Sequence, residues 1–105
     1  MSVFECVEPR PGLLVLRGEL TVSDAPALHG LLVEALRRSP SLELDLLDVT
    51  MLDTSGVQLM IALSRAGRAA GKPVCWQGFS AAVEHVLNVL NLRAEIGEPS
   101  AVVWT

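Results

Sequence analysis

The chain has 105 residues, half of them apolar, and a formal net charge of −4 at pH 7. This length fits a single domain over residues 1–105 that is long enough to bury a sizeable core. The acidic balance and the scatter of the arginines argue against nucleic acid as a partner. No apolar run approaches the roughly 20 residues of a membrane-spanning helix and no signal-peptide pattern opens the chain, so we expect a cytoplasmic protein.

The first elements along the chain are predicted to be a hairpin and a helix. Residues 4–8 alternate apolar and polar side chains, a proline-glycine turn follows, and residues 13–18 continue as a more buried strand. Apolar residues then recur at helical spacing over residues 27–36. Thr21 or Ser23 is the expected cap of this first helix.

A second strand-to-helix unit follows. Residues 41–49 alternate leucines with polar residues, which predicts a strand, and helical spacing from residue 55 to about residue 70 predicts a second helix. Ser55 and Gln58 form a capping-box pattern at its start. Two hydroxyls and an acid therefore stand together where the strand passes into the helix.

The remaining elements complete an α/β pattern. Residues 71–73, Gly-Lys-Pro, end the second helix, and residues 74–76 read as a strand that contains Trp76. Ser80 caps a third helix that ends near residue 90, and residues 101–104 suggest a last short strand. Alternating strands and helices imply a small, mostly parallel sheet with crossover helices, opened here by a hairpin.

The Leu-Asp-Thr-Ser-Gly sequence at residues 52–56 is the candidate site. A strand that runs into a helix delivers Asp53, Thr54 and Ser55 to the carboxyl edge of the sheet and the positive end of the helix, where ligands commonly bind. In the purely structural alternative, Asp53 or Ser55 caps the helix and Gly56 permits close packing. Because one cap suffices, Thr54 is then a surplus hydroxyl, exposed to a kinase or a ligand.

Helical geometry divides the apolar residues of the second helix into two sets. Val57, Met60 and Ile61 fall within or beside the polar half, which predicts an apolar strip next to Thr54 that another protein covers. The alternative is that the third helix or the C-terminal segment covers this strip. The other set is expected to face the sheet, and its members are Leu59, Leu63, Ala66 and Ala70.

Residues 42–74, together with the Leu-Arg-Gly-Glu-Leu-Thr sequence at 16–21, resemble the STAS domain, a family named for sulfate transporters and anti-sigma factor antagonists. The resemblance covers nearly the whole chain. It implies a STAS-like single domain, a small sheet with helices packed on one side. In the antagonist branch the hydroxyl residue after the motif's Asp accepts phosphate, which corresponds here to Thr54, with Ser55 as the alternative.

The resemblance implies a non-catalytic module of the anti-sigma factor antagonist type, switched by phosphorylation and bound by an anti-sigma factor or serine/threonine kinase. The alternative is a STAS subunit of a larger bacterial assembly, either chemotaxis-linked signalling or a lipid-trafficking ABC transporter. The chain departs from many antagonists in having Thr21 where they carry Asp, with the nearest acid at Asp24. The expected partner-binding residues are Thr21, Asp24, Asp53, Thr54, Ser55, Gly56, Val57, Met60 and Ile61.

Catalytic and metal sites have weaker support. His85 on the third helix is the candidate activator of Thr54 or Ser55, but a lone helical histidine is more often structural or solvated. His29 is interpreted in the same way. We expect no metal, since acids three apart on a strand point to opposite faces, and no nucleotide or other cofactor. Cys6 and Cys75 are expected to be buried free thiols.

Overall fold

The computed structural model describes residues 4–91, which form four strands and three helices. The predicted strand at residues 101–104 and Trp104 lie outside these residues. The strands are β1 (Phe4–Arg10), β2 (Leu13–Leu20), β3 (Leu42–Leu52) and β4 (Val74–Phe79), and the helices are α1 (Ala25–Arg38), α2 (Thr54–Ala70) and α3 (Ala81–Val89).

The described strands form one sheet in the order β1-β2-β3-β4. β1 is antiparallel to β2, whereas β2 and β3, and β3 and β4, are parallel. The predicted hairpin and mostly parallel sheet are thus confirmed, with α1 and α2 as the crossover helices between parallel neighbours. The register pairs Leu20 with Leu52, so β2 and β3 end side by side at the edge that carries the motif.

The core lies on one face of the sheet. Leu42, Leu44 and Leu46 of β3 are fully buried, whereas Glu43 and Asp45 between them are half-buried. Successive side chains of a strand point to opposite faces, so the helices cover the leucine face, as expected. Each leucine buried there contributes about 1.5–3 kcal/mol. The other face carries ion pairs: Arg10 with Glu43 at 2.7 Å, and Arg17 with Asp48 at 3.5 Å and Glu5 at 3.8 Å.

Other features of the sequence have mixed outcomes. Trp76 is buried, with its ring centroid 6.3 Å from that of Phe79. Within the described residues neither cysteine forms a disulfide bond, and only Cys75 is buried. Cys6 is half-buried, and this partial burial, with a smaller effect of the Glu8 charge, raises the pKa of its thiol.

The helix caps agree only in part with the predictions. Ser80 caps α3 as predicted, because its Oγ accepts a hydrogen bond from the Val83 amide at 3.1 Å. The predicted cap of α1 is wrong, since Asp24 stands at the N-cap position. The carbonyl of Thr21, rather than its hydroxyl, accepts the Asp24 amide at 2.9 Å and forms the turn that leads into α1.

The buried face of α2 also differs from the prediction. Val57 is 1% exposed and Met60 4% exposed, so the expected outward strip through these two residues is wrong. Ile61 is half-buried and packs against the core. The physical reason is that glycines on one side of the helix let it approach the sheet closely along that side. The buried residues of α2 are Gly56, Val57, Met60, Leu63 and Gly67.

The set predicted to face the sheet is therefore only partly correct. Leu63 is buried and Leu59 is half-buried, but Ala66 and Ala70 are exposed. The glycine-bearing side of α2 faces the sheet, and these two alanines face solvent.

Candidate functional site

Asp53 ties together two segments at the carboxyl edge of the sheet. Its Oδ1 accepts a hydrogen bond from the Gly56 amide at 3.1 Å, and its Oδ2 accepts one from the Val22 amide at 2.9 Å. Asp53 is thus the N-cap of α2, and the predicted capping box of Ser55 and Gln58 is wrong. Because Val22 lies between β2 and α1, one carboxylate holds both the β2–α1 loop and the start of α2.

Gly56 allows α2 to begin directly against the ends of β2 and β3. A Cβ at this position would lie 2.5 Å from Leu52 Cδ1 and 2.9 Å from the backbone oxygen of Leu20. A side chain can rotate away from such a contact, but a backbone oxygen cannot without moving its strand. Gly56 is buried, so it supports the site and cannot present a side chain to a partner.

The two hydroxyls of the motif differ in exposure. Thr54 is the first residue of α2 and is exposed, whereas Ser55 is half-buried. The first amide groups of a helix lack partners within the helix and give this end a partial positive charge. Asp53 satisfies one of them, the Gly56 amide. Thr54 therefore places an accessible hydroxyl beside an end of a helix that attracts anions.

The β2–α1 loop places its acid inside the molecule. Asp24 is only 3% exposed, and its Oδ2 accepts a hydrogen bond from Thr21 Oγ1 at 3.4 Å. The expectation that Asp24 contacts a partner is therefore wrong, because its carboxylate faces the protein's own loop. Thr21 is half-buried beside it.

Two apolar residues near the motif were missed in the sequence. Val22 is 67% exposed and its amide binds Asp53, while Met51 is 49% exposed two residues before Asp53 on β3. Val22 lies in a polar loop sequence, so no periodicity marked it. Met51 follows irregular pairing between β2 and β3, which shifts the alternation of exposed and buried side chains. We call Val22, Met51, Thr54 and Ser55 the α2-entrance surface.

The aspartates and histidines that could serve catalysis or metal binding do not form a common site. Asp45 Oδ1 accepts the Leu47 amide at 2.9 Å, and Asp48 pairs with Arg17, whereas Asp53 caps α2. His29 on α1 and His85 on α3 are exposed. Within residues 4–91, no three side chains of His, Cys, Asp or Glu gather closely enough to hold a metal ion. None of the helices described is both long and apolar enough to span a membrane.

Solved structures of similar fold include an anti-sigma factor antagonist from Mycobacterium paratuberculosis, with 24% identity over 93% of this chain and 87% of that chain and a TM-score of 0.70. The phosphorylated form of the Bacillus cell fate determinant SpoIIAA has 17% identity over 93% and 92%, with a TM-score of 0.65. A chain from the complex of the diguanylate cyclase SiaD with its activator SiaC from Pseudomonas aeruginosa has 22% identity over 84% and 80%, with a TM-score of 0.56.

At these identities the likeness establishes a shared fold. A search of curated protein sequences finds no match. A family model described as "Mlab, STAS domain" matches residues 7–98, which include every strand and helix described above except the first residues of β1. The chain therefore belongs to the STAS domain family.

Proposed function

We propose that the chain is a non-catalytic interaction module that binds a protein partner, such as an anti-sigma factor kinase, through the α2-entrance surface. Phosphorylation of Thr54, or alternatively of Ser55, releases that partner. The observation that carries the proposal is the exposed Thr54 hydroxyl at the start of α2, next to a carboxylate that already holds both neighbouring segments.

The unmodified surface suits a partner because it combines apolar and neutral polar groups. Val22 and Met51 offer exposed apolar side chains, and Thr54 can donate or accept a hydrogen bond. These residues replace Val57 and Met60, whose burial removes them from any interface. Support also comes from the similar fold of SpoIIAA, which is known in unphosphorylated and phosphorylated forms.

A phosphate on Thr54 changes the charge of this surface. It adds about −1.5 to −2 charges beside Asp53, and burying such an anion without a matching cation costs several kcal/mol. Since each 1.4 kcal/mol is about tenfold in affinity, a release of about a hundredfold is expected. The amides at the start of α2 stabilise the phosphate on the free protein, so the fold stays intact and only the interface is blocked.

The test combines phosphate mapping with binding. After incubation with ATP and a cognate anti-sigma factor kinase, mass spectrometry should find one phosphate on Thr54, or on Ser55. Thr54→Glu should weaken binding of that kinase, measured by calorimetry, whereas Ser41→Glu serves as the matched control because Ser41 is exposed just before β3, away from the motif. Absence of phosphate from both hydroxyls, or unchanged affinity of Thr54→Glu, contradicts the switch.

The second candidate is a permanent subunit of a larger bacterial assembly, in chemotaxis-linked signalling or lipid transport. It is favoured by the buried carboxylate of Asp24 and by Thr21 at the place where many antagonists carry an acid. Such a subunit uses the same surface without modification. Permease, ATPase or chemoreceptor genes beside the chain, and an unmodified Thr54 in the purified complex, distinguish this function from the switch.

A further inference from the structure

A groove runs between α1 and α2 on a different side of α2 from Thr54. It encloses about 200 Å³. The residues that line it recur at helical spacing on both helices, so the groove follows the helix axes. Its apolar lining includes Leu32, Val33 and Leu36 from α1 and Leu59, Ala62 and Ala66 from α2.

The shape of this groove suits side chains of another helix. A volume of about 200 Å³ is below the 300–1,000 Å³ typical of small-molecule sites. Ala62, Ala66 and Ala70 are exposed and small, which lets a third backbone approach α2 closely. Val33 on the opposite wall is 44% exposed, so apolar surface remains open on both sides. Apolar side chains of an amphipathic helix fit such a groove at spacings of three and four residues.

The charged side chains that line the groove are cationic, although Arg37 also pairs at 3.7 Å with Glu34, which lies outside the lining. Arg37 and Lys72 stand at the end formed by the C-terminus of α1, His29 lies toward the other end, and no Asp or Glu in the described part of the chain lines the groove. Lys72 Nζ donates to the carbonyls of Leu36 at 2.6 Å and Arg37 at 3.3 Å, which leaves one ammonium hydrogen for a partner. This local charge contrasts with the net charge of −4 of the chain.

We infer that the groove between α1 and α2 docks an acidic amphipathic helix of a partner protein. Its apolar face fills the space between the helices, and its carboxylates lie over Arg37 and Lys72. A second copy of the chain is a poorer occupant, because a symmetric pairing through this groove brings like charges together. This docking is independent of the proposed switch at Thr54, since the groove and the α2-entrance surface share no residue.

The probe for the experiment is a helical peptide of about 16 residues, long enough to hold a helix. It carries leucines at spacings of three and four and glutamates near one end. Its matched peptide replaces each Glu with Lys. Amide chemical shifts of the full, isotope-labelled chain are followed during titration. Binding of the acidic peptide should shift residues of α1 and α2 that line the groove and leave the Thr54 amide unchanged.

Two pairs of variants test the groove without threatening the fold. Ala66→Arg fills the groove and should weaken the acidic peptide at least about tenfold, whereas Ala69→Arg, the same change at an exposed position that does not line the groove, should leave it unchanged. Arg37→Glu should weaken binding of the acidic peptide about fivefold. Arg68→Glu, the same change at a residue that does not line the groove, should leave this binding unchanged.

Three results overturn the inference. The first is equal binding of the acidic and basic peptides, or of the Ala66→Arg and Ala69→Arg variants. The second is groove shifts that grow with the concentration of the chain alone and identify a second copy as the occupant. The third is groove shifts with decanoate, an anionic acyl chain, and none with the acidic peptide.

Discussion

The two ends of α2 are attached to the rest of the molecule by opposite chemistry. At its start, the Asp53 carboxylate accepts the amide of Val22 just ahead of α1. Just beyond its end, the Lys72 ammonium donates to carbonyls in the last turn of α1. Both ends also pack through a glycine, Gly56 at the start and Gly67 near the end. An anion meets amides at one end of the helix pair, and a cation meets carbonyls at the other.

The difference explains why the two ends offer different surfaces. At the start of α2, Asp53 serves both segments, so the hydroxyl of Thr54 is left for solvent or a partner. Beyond the end of α2, Lys72 keeps a positive charge beside the apolar groove. The start of α2 suits a hydroxyl that gains negative charge under the proposed phosphorylation. The end beside Lys72 suits a partner that carries negative charge. The predictions below perturb these attachments separately.

The largest effect is expected where a glycine contacts backbone. Gly56→Ala should lower the free energy of unfolding by about 3 kcal/mol, because its Cβ would lie 2.9 Å from the Leu20 backbone oxygen. Gly67→Ala should cost a similar amount, with its Cβ 2.8 Å from the Lys72 backbone oxygen. Urea denaturation followed by circular dichroism measures both.

Gly30 provides the matched control for both substitutions. It lies within α1, and a Cβ there would meet nothing within 4 Å. Gly30→Ala should therefore stabilise the fold by about 0.5–1 kcal/mol, since alanine has the higher helix propensity. If Gly56→Ala changed the free energy of unfolding as little as Gly30→Ala, the close contact at Gly56 would not be what determines the buried face of α2.

Asp53 gives the next largest effect. Asp53→Ala removes acceptors for the amides of Val22 and Gly56 and should lower the free energy of unfolding by about 2 kcal/mol. Asp53→Asn keeps one side-chain oxygen and should cost about half as much. Hydrogen exchange should accelerate at both amides in Asp53→Ala and chiefly at one in Asp53→Asn. Unchanged exchange at Val22 would show that the β2–α1 loop is held in another way.

The sequence predicted the elements well because their signals are local. Alternating leucines in β3 and helical spacing in α2 depend on neighbours within a few residues, and the motif falls where one pattern changes into the other. The same locality identified Thr54 as the exposed hydroxyl. The family resemblance then added that the helices pack on one side of the sheet.

The errors arose where distant parts of the chain decide the outcome. The buried face of α2 follows from contacts of Gly56 with Leu20 and of Gly67 with Val74, which helical periodicity does not contain. Likewise, Asp24 is buried at the end of the β2–α1 loop. The same loop contains Val22, whose amide is bound by Asp53, 31 residues further along the chain. The recurrence of glycine on one face of α2, at Gly56 and Gly67, was the available signal for the first of these.

Lys72 tests the opposite end of the comparison. Lys72→Met keeps the aliphatic stem but loses the hydrogen bonds to the carbonyls of Leu36 and Arg37, and should lower the free energy of unfolding by about 1 kcal/mol. Arg68→Met removes a positive charge in the last turn of α2 and should cost only a few tenths of a kcal/mol. Equal losses in the two variants would mean that charge alone, without the link to α1, accounts for the effect.

The smallest effect concerns a further link at the same end of α1. Glu8 accepts the Gly12 amide at 3.0 Å and Arg38 Nη2 at 3.3 Å, and these bonds, the backbone one foremost, hold the pKa of Glu8 below its ordinary value. The ionised form is therefore favoured by folding. Its contribution is fully present above the unfolded-state pKa of about 4.3 and is lost as the pH falls through the lower folded-state pKa.

Glu8→Gln should consequently be less stable than the parent chain at pH 7, and the difference should shrink as the pH is lowered toward about 3. Urea denaturation at several pH values measures this convergence. Glu34→Gln is the matched control, because within residues 4–91 Glu34 forms only an exposed ion pair, at 3.7 Å from Arg37 of the same helix, and should alter the stability less. A difference between Glu8→Gln and the parent that grows on acidification would reverse the sign of the linkage and show that the carboxylate does not support the join between the β1–β2 turn and α1.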